Sequence, residues 1–131
     1  MAWNLRDHFV DAHAAFVFED VCREDLRRHL LSRNICAEYG KHWRNEEIDL
    51  IALDRRNGEA YVVECKFILK PVGLTTLNSL KNKVSKVREL RDFEVTYCLF
   101  SVSGFNDDLK ALCAENVLLF NDGENVNRTR T

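Results

Sequence analysis

Residues 45–67 read NEEIDLIALDRRNGEAYVVECKF, and they are the most informative part of the sequence for the fold. Residues 48–53 and 61–67 are rich in amino acids that favour β-strands. Asn57-Gly58 lies between them and supplies the positive φ angles that a tight turn needs. The stretch therefore predicts two neighbouring strands joined by a short turn.

The charged residues of these two strands fall among apolar neighbours. Because side chains alternate across a strand, Glu64 and Lys66 share a face with Val62. On the preceding strand Asp49 shares its face with Ile51, so its carboxylate is predicted to point inward. A buried carboxylate requires a partner.

Two interpretations account for these charges. In the first, a structural ion pair on a half-exposed hairpin is formed by Asp49, Glu64 and Lys66. In the second, the same residues form a functional site. Charges set into apolar runs cost several kcal/mol each to desolvate, which favours a site. Two carboxylates from adjacent strands suit Mg²⁺ or Mn²⁺, and a nearby lysine can hold or deprotonate water or stabilise charge on a phosphate.

The arrangement of an aspartate on one strand and Glu64-Cys65-Lys66 on the next resembles the PD-(D/E)xK nuclease superfamily. Residues 43–66 resemble more closely the nuclease-like domain that follows an AAA+-type ATPase module in archaeal and bacterial proteins. Residues 18–22 and a leucine-rich helix after the motif extend this resemblance. It implies an α/β fold with a restriction-endonuclease-like core, a central mixed β-sheet flanked by helices. It also implies cleavage of DNA and association with an ATPase.

This resemblance implies a role for each residue of the motif. Asp49 and Glu64 would bind one or two Mg²⁺ or Mn²⁺ ions, and the backbone carbonyl of Cys65 would complete the coordination shell. Lys66 would orient or activate the attacking water. Glu47 shares the predicted face of Asp49 and is a reserve ligand.

A further acid precedes the motif. Residues 5–31 predict one long helix or two shorter ones, and Glu19 lies in register with the apolar Cys22 and Leu26. Pairing with Arg23, four residues away, explains an acid at the edge of the apolar stripe. The resemblance instead implies that Glu19 approaches the same metal and has a catalytic role.

Basic residues flank the motif on both sides. Lys41 and Arg44 surround an aromatic residue, Trp43, and this cluster either holds nucleic acid or forms a turn in which Trp43 covers the core. After the motif, Lys81 and Lys83 lie on a helix predicted to begin at Thr75 or Thr76 and end at Leu90. The polar face of that helix either contacts the DNA backbone or is an ordinary solvated surface. We expect contact with DNA for these two lysines.

The predicted order of elements is α-β-β-β-α-β-α-β. The first three strands, beginning with residues 35–43, should form an antiparallel meander. The later strands, 93–102 and 116–120, should follow helical crossovers that cover the sheet on both faces. Residues 1–121 are predicted to form one domain, and residues 122–131 a frayed polar tail.

Composition limits the alternatives. The chain has 131 residues, 46% of them hydrophobic, and a net charge of −2, which indicates one globular domain without a globally basic surface. Its five cysteines are widely spaced and suit free thiols better than disulfides or zinc. No apolar run is long enough to cross a membrane and the first residues do not start a signal peptide, so a cytoplasmic location is expected.

Another class of function stays open. A non-catalytic domain of the same fold would bind DNA or dock onto an ATPase, and the chain contains no Gly-x-x-x-x-Gly-Lys loop of its own. Nucleases that cut both strands often pair their subunits, which makes a homodimer an expectation.

Overall fold

The computed structural model describes residues 5–40, 48–112, 115–121 and 124–126, with side chains from residue 17 onward apart from that of residue 124. One six-stranded sheet has its strands in sequence order. None of the helices in the described ranges has the length and apolar composition to cross a membrane. The elements are α1 (Leu5–Ser32), β1 (Glu38–Gly40), β2 (Leu50–Asp54), β3 (Glu59–Lys66), α2 (Leu74–Ser85), a 3₁₀ turn (Arg88–Leu90), β4 (Glu94–Ser101), α3 (Asp107–Lys110), β5 (Val117–Asn121) and β6 (Glu124–Asn125).

The sheet is mixed. The strands β1, β2 and β3 pair antiparallel, as the meander prediction requires. The next pairs, β3 with β4 and β4 with β5, are parallel. The predicted order of elements is confirmed, and the structure adds the 3₁₀ turn and β6 to it.

Alternation along the central strands divides the core into two layers. Ile51 and Val62 pack on one face of the sheet together with Leu80 of α2, whereas Val63 packs on the other face with Leu26 of α1. This period of two confirms the faces predicted for the residues of β3. It places the even-numbered residues of β3, including Glu64, on the α2 side.

Both crossover helices cover the same face. Leu77 of α2 and Leu109 of α3 belong to one core layer, and the opposite layer is closed by Cys22 and Leu30 of α1. The prediction that the crossovers cover both faces is therefore wrong. Parallel crossovers have one hand, and the order β3-β4-β5 never reverses, so successive crossovers stay on one side.

The long first helix ends where the sequence predicts. Asn34 has a φ of 64°, and its N–H donates to the carbonyl of Leu31, while the N–H of Ile35 donates to that of Leu30. This is a Schellman ending, in which a residue in the left-handed region stops the helix. The following strand starts at Glu38 rather than at residue 35. Glu38 pairs with Leu53 and the partner strand β2 ends one residue later, at Asp54, so residues 35 and 36 have no strand opposite them.

The helix after the motif differs from its prediction at both ends. Its N-cap is Gly73, without a side-chain cap, rather than Thr75 or Thr76, and it ends at Ser85. A Cβ on Gly73 would lie 2.5 Å from Nδ2 of Asn106, so a larger residue here would require the end of the Asn106 side chain to turn away. The remaining predicted turn forms the separate 3₁₀ segment.

Part of the polar tail is paired. Asn125 and Glu124 lie opposite Phe120 and Asn121 of β5, and the N–H of Val126 donates to Leu119 at 2.7 Å. These residues provide backbone hydrogen-bond partners along the outer edge of β5, so the expectation of a frayed tail does not hold for them.

Candidate active site

The start of β2 and the end of β3 bring the backbones of Asp49 and Glu64 close together. The ladder between the two strands begins with Leu50 opposite Val63, and Asp49 and Glu64 are the next residues beyond this pair. Asp49 directly precedes β2, and β3 ends at Lys66, so these residues share one edge of the sheet. The strands β3 and β4 end at this edge, and carboxyl ends of parallel strands are where α/β sheets usually bind ligands.

Asp49 is anchored to the backbone of the motif. The N–H of Cys65 donates to Oδ2 of Asp49 at 2.8 Å. The sequence prediction placed Asp49 inside the strand, whereas the structure places it in a bend, half-buried, one residue before β2. Its orientation is therefore fixed by the neighbouring strand.

Glu64 is flanked by two ammonium groups. Nζ of Lys66 lies 3.4 Å from Oε2, and Nζ of Lys83 lies 3.4 Å from Oε1. The Glu64 side chain is only 10% exposed, while the Lys66 and Lys83 side chains are 37% and 30% exposed. The structural ion pair considered from the sequence is present, and α2 adds a second cation to it. Both separations exceed the roughly 2.7–2.9 Å of a tight charge-assisted bond, so neither ammonium group is tightly bonded to the carboxylate.

Glu19 lies on the other side of the sheet from the lysines. A cavity of about 140 Å³ has Glu19, Asp49 and Cys65 in its described lining, and Glu64 is not part of that lining. The other lining residues are Asp20, Arg23, Tyr39, Gly40 and Leu50. The structure thus brings Glu19 together with Asp49, and Glu64 together with the lysines. The bond between Asp49 and the Cys65 backbone joins the two groups.

The Cys65 side chain points away from Glu64. It packs with the α1 layer, where a hydrogen bond with Cys22 and burial raise the pKa of the Cys65 thiol. A neutral thiol is a poor metal ligand, which leaves the backbone carbonyl as the donor of this residue. The described cysteines are free thiols, in agreement with the sequence, and Cys113 lies outside the described residues.

The predicted DNA-binding lysines are placed differently. Lys81 is exposed, with Nζ 5.6 Å from the centre of the Tyr97 ring. Lys83 instead reaches Glu64. Lys41 and Arg44, like the reserve ligand Glu47, lie outside the described residues.

Sequence reasoning missed the contact of Lys83 with the motif. A signal was available, because Lys83 follows the buried Leu80 by three residues and precedes the buried Val84 by one. This position is at the edge of the apolar stripe of α2, where a long side chain can reach the sheet.

The donor set fits a hard divalent cation that keeps part of its water. Among the described residues no three His, Cys, Asp or Glu side chains gather into a metal site. Mg²⁺, however, is commonly held by one or two carboxylates together with water. Asp49, Glu64 and the carbonyl of Cys65 supply such oxygens, and Glu64 already attracts two cationic groups.

Two solved structures share this fold. A protein of unknown function, AF1548, is 21% identical with a TM-score of 0.52, over 76% of this chain and 56% of its own. A repair endonuclease from Pyrococcus abyssi is 16% identical with a TM-score of 0.50, over 76% of this chain and 46% of its own. The chain therefore spans about half the length of each. The likeness confirms the predicted restriction-endonuclease-like fold.

No curated protein matches this sequence. The model of the DUF234 family, described as archaea bacterial proteins of unknown function, matches residues 2–82, which is more than half of the chain. The chain belongs to the DUF234 family.

Proposed function

We propose that this chain is a metal-dependent nuclease domain that hydrolyses phosphodiester bonds in DNA. The observation that carries the proposal is the arrangement of residues where β2 begins and β3 ends. There Asp49 is bound to the backbone of Cys65, next to Glu64 with its two lysines. The fold supports the reaction class, since one structural neighbour is titled a repair endonuclease. Fold alone does not assign an activity, so the residues of the site must support the assignment.

The residues of the site would have different roles in phosphodiester hydrolysis. Asp49 and Glu64, with the Cys65 carbonyl, would hold Mg²⁺ or Mn²⁺, and Glu19 would contribute from the adjoining cavity. A bound ion would act as a Lewis acid toward the charge that develops on the scissile phosphate. Lys66 offers ammonium donors beside Glu64, where they can orient the attacking water or a phosphate oxygen.

DNA contacts would extend from the site along α2. Lys81 is exposed on this helix, and Lys41 and Arg44 belong to the segment that precedes the motif. Lysine and arginine side chains bind phosphates without reading sequence, so these residues would position DNA rather than select a site. An AAA+-type ATPase module is a further proposed partner, on the family resemblance. A second copy of the chain is another, because nucleases that cut both strands often pair their subunits.

One observation favours a second candidate, a DNA-binding or ATPase-associated domain without catalysis. In the described part of the chain Glu64 already has two cationic partners, and no group of three ligand side chains forms. Such a domain would bind DNA without cutting it.

Calorimetric titration of Mn²⁺ separates the two candidates when combined with cleavage assays on plasmid and branched DNA. The samples are the wild type, Asp49→Ala with Glu64→Ala, and Asp54→Asn as a control at the far end of the same strand. We expect the wild type and Asp54→Asn to bind Mn²⁺ and cut DNA, and the double variant to do neither. DNA binding by a wild type that neither binds Mn²⁺ nor cuts would support the accessory domain.

A further inference from the structure

Lys83 has a position that its helix does not require for folding. The ammonium group lies 3.4 Å from Oε1 of Glu64, whereas the packing of α2 on the sheet is made by Leu77, Leu80 and Val84. The contact therefore concerns Glu64 rather than the core.

The two lysines cover different oxygens of the same carboxylate. Lys66 lies at Oε2 and Lys83 at Oε1, and the carboxylate itself is almost buried beneath them. A divalent cation that binds Glu64 must take at least one of these oxygens. Because two cations repel each other strongly at such distances, the ammonium group at that oxygen must move away.

We propose that Lys83 is a positioning residue that competes with the metal ion for Glu64. It holds the carboxylate in the metal-free protein and releases it when the ion binds. This inference depends on the proposed function, because it concerns the same metal site. Lys83 rather than Lys66 would be the residue that moves away. Lys66 belongs to the motif strand and has a proposed role in the reaction, whereas Lys83 comes from a separate helix.

The competition predicts a gain of metal affinity when the competitor is removed. Calorimetric titration of Mn²⁺ should show binding to Lys83→Met that is about tenfold tighter than to the wild type, because one positive charge is lost beside a divalent ion. Lys83→Arg keeps the charge and should stay near the wild type. Lys81→Met loses the same charge from an exposed position of the same helix and should also stay near the wild type.

A purely structural lysine predicts the opposite sign, since its loss would disorder Glu64 and weaken Mn²⁺ binding. Weaker or unchanged binding by Lys83→Met, or equal tightening by Lys81→Met, overturns the inference and leaves the nuclease proposal intact. A wild type that binds no Mn²⁺ overturns both. These results distinguish failure of the inference from failure of the proposed function.

A second measurement uses the unmodified chain, in case Lys83→Met does not fold. In NMR spectra of protein labelled at lysine, addition of Mg²⁺ should shift the side-chain signals of Lys83 and leave those of Lys81 in place. Equal shifts, or none at Lys83 while Mg²⁺ binds, contradict the release.

Discussion

The two ends of β2 each carry an aspartate, and the two acids are used differently. Asp54 is 3% exposed, and its oxygens accept bonds from the N–H and the side-chain amide of Asn57 at 3.3 and 2.7 Å. Asp49 instead reaches across to the N–H of Cys65 on the next strand. Asp54 is the more deeply buried acid, and yet both of its oxygens serve a local turn. A turn residue and a candidate site residue are therefore distinguished here by their hydrogen-bond partners rather than by burial. The partner of Asp54 is three residues away in the same turn, whereas the partner of Asp49 lies on the next strand.

The neighbouring charges differ in the same way. At the Asp54 end, Arg55 and Glu38 form a pair whose side chains are 61% and 68% exposed, and such pairs contribute little to stability. At the Asp49 end, Glu64 is sheltered beneath lysines from β3 and α2. Among the described residues, the ion pairs at the Asp49 end are therefore better shielded from water than the Arg55–Glu38 pair at the other end, and electrostatic interactions are stronger where water is excluded.

The largest expected effect is on catalysis at the Asp49 end. Glu64→Gln keeps the shape of the side chain and removes its charge, so we expect the rate of DNA cleavage to fall by about 10²-fold or more. Asp54→Asn makes the same chemical change at the other end and should cleave at the wild-type rate. Single-turnover cleavage of a labelled duplex measures both, and equal losses in the two variants would remove the distinction between the ends.

Stability should show the reverse order. Asp54→Ala leaves the Asn57 N–H without its acceptor and should lower the free energy of unfolding by about 1–2 kcal/mol. Asp49→Asn retains an oxygen for the Cys65 N–H and should change stability less. Urea denaturation followed by circular dichroism gives both values. A larger loss for Asp49→Asn would mean that Asp49 is mainly a structural residue.

Glu19 should have an intermediate effect. It lines the cavity beside Asp49 but lies apart from Glu64, so Glu19→Gln should reduce cleavage by about tenfold. Glu24→Gln is the matched control, because Glu24 is an exposed acid of the same helix that pairs with Arg27. No difference between these variants would exclude Glu19 from the site.

The smallest effect concerns thiol reactivity. A hydrogen bond with Cys22 and burial raise the pKa of Cys65, so this thiol stays protonated at neutral pH and should react slowly with iodoacetamide. Cys36 is exposed and should react first. Trypsin separates the two in peptides 57–66 and 34–41, which mass spectrometry can quantify. Labelling of Cys65 as fast as Cys36 would show that the packing between α1 and β3 is looser than described.

Local rules predicted much of this molecule from its sequence. The alternation of Val62, Val63 and Glu64 assigned the faces of β3 correctly, because a strand has a fixed period of two. The predicted range 5–31 ends one residue before the end of α1 at Ser32, and Asn34 in the left-handed region stops the helix there.

Features set by tertiary packing were not predictable in this way. The contact of Lys83 with Glu64 depends on how α2 is rotated against the sheet, and helical periodicity fixes that rotation only roughly. The common face of α2 and α3 follows from the strand order, which pairing across the whole sheet determines. The two-residue β6 forms because the edge of β5 accepts it, rather than because its own sequence favours a strand.

We propose that Asp49 and Glu64 together hold a divalent cation. Crystals soaked in Mn²⁺ and measured at a wavelength where manganese scatters anomalously test this directly. We expect an anomalous peak about 2.1 Å from a carboxylate oxygen of each residue, with Lys83 displaced from Oε1 of Glu64. An empty position between the two carboxylates, with both lysines still paired to Glu64, would contradict it.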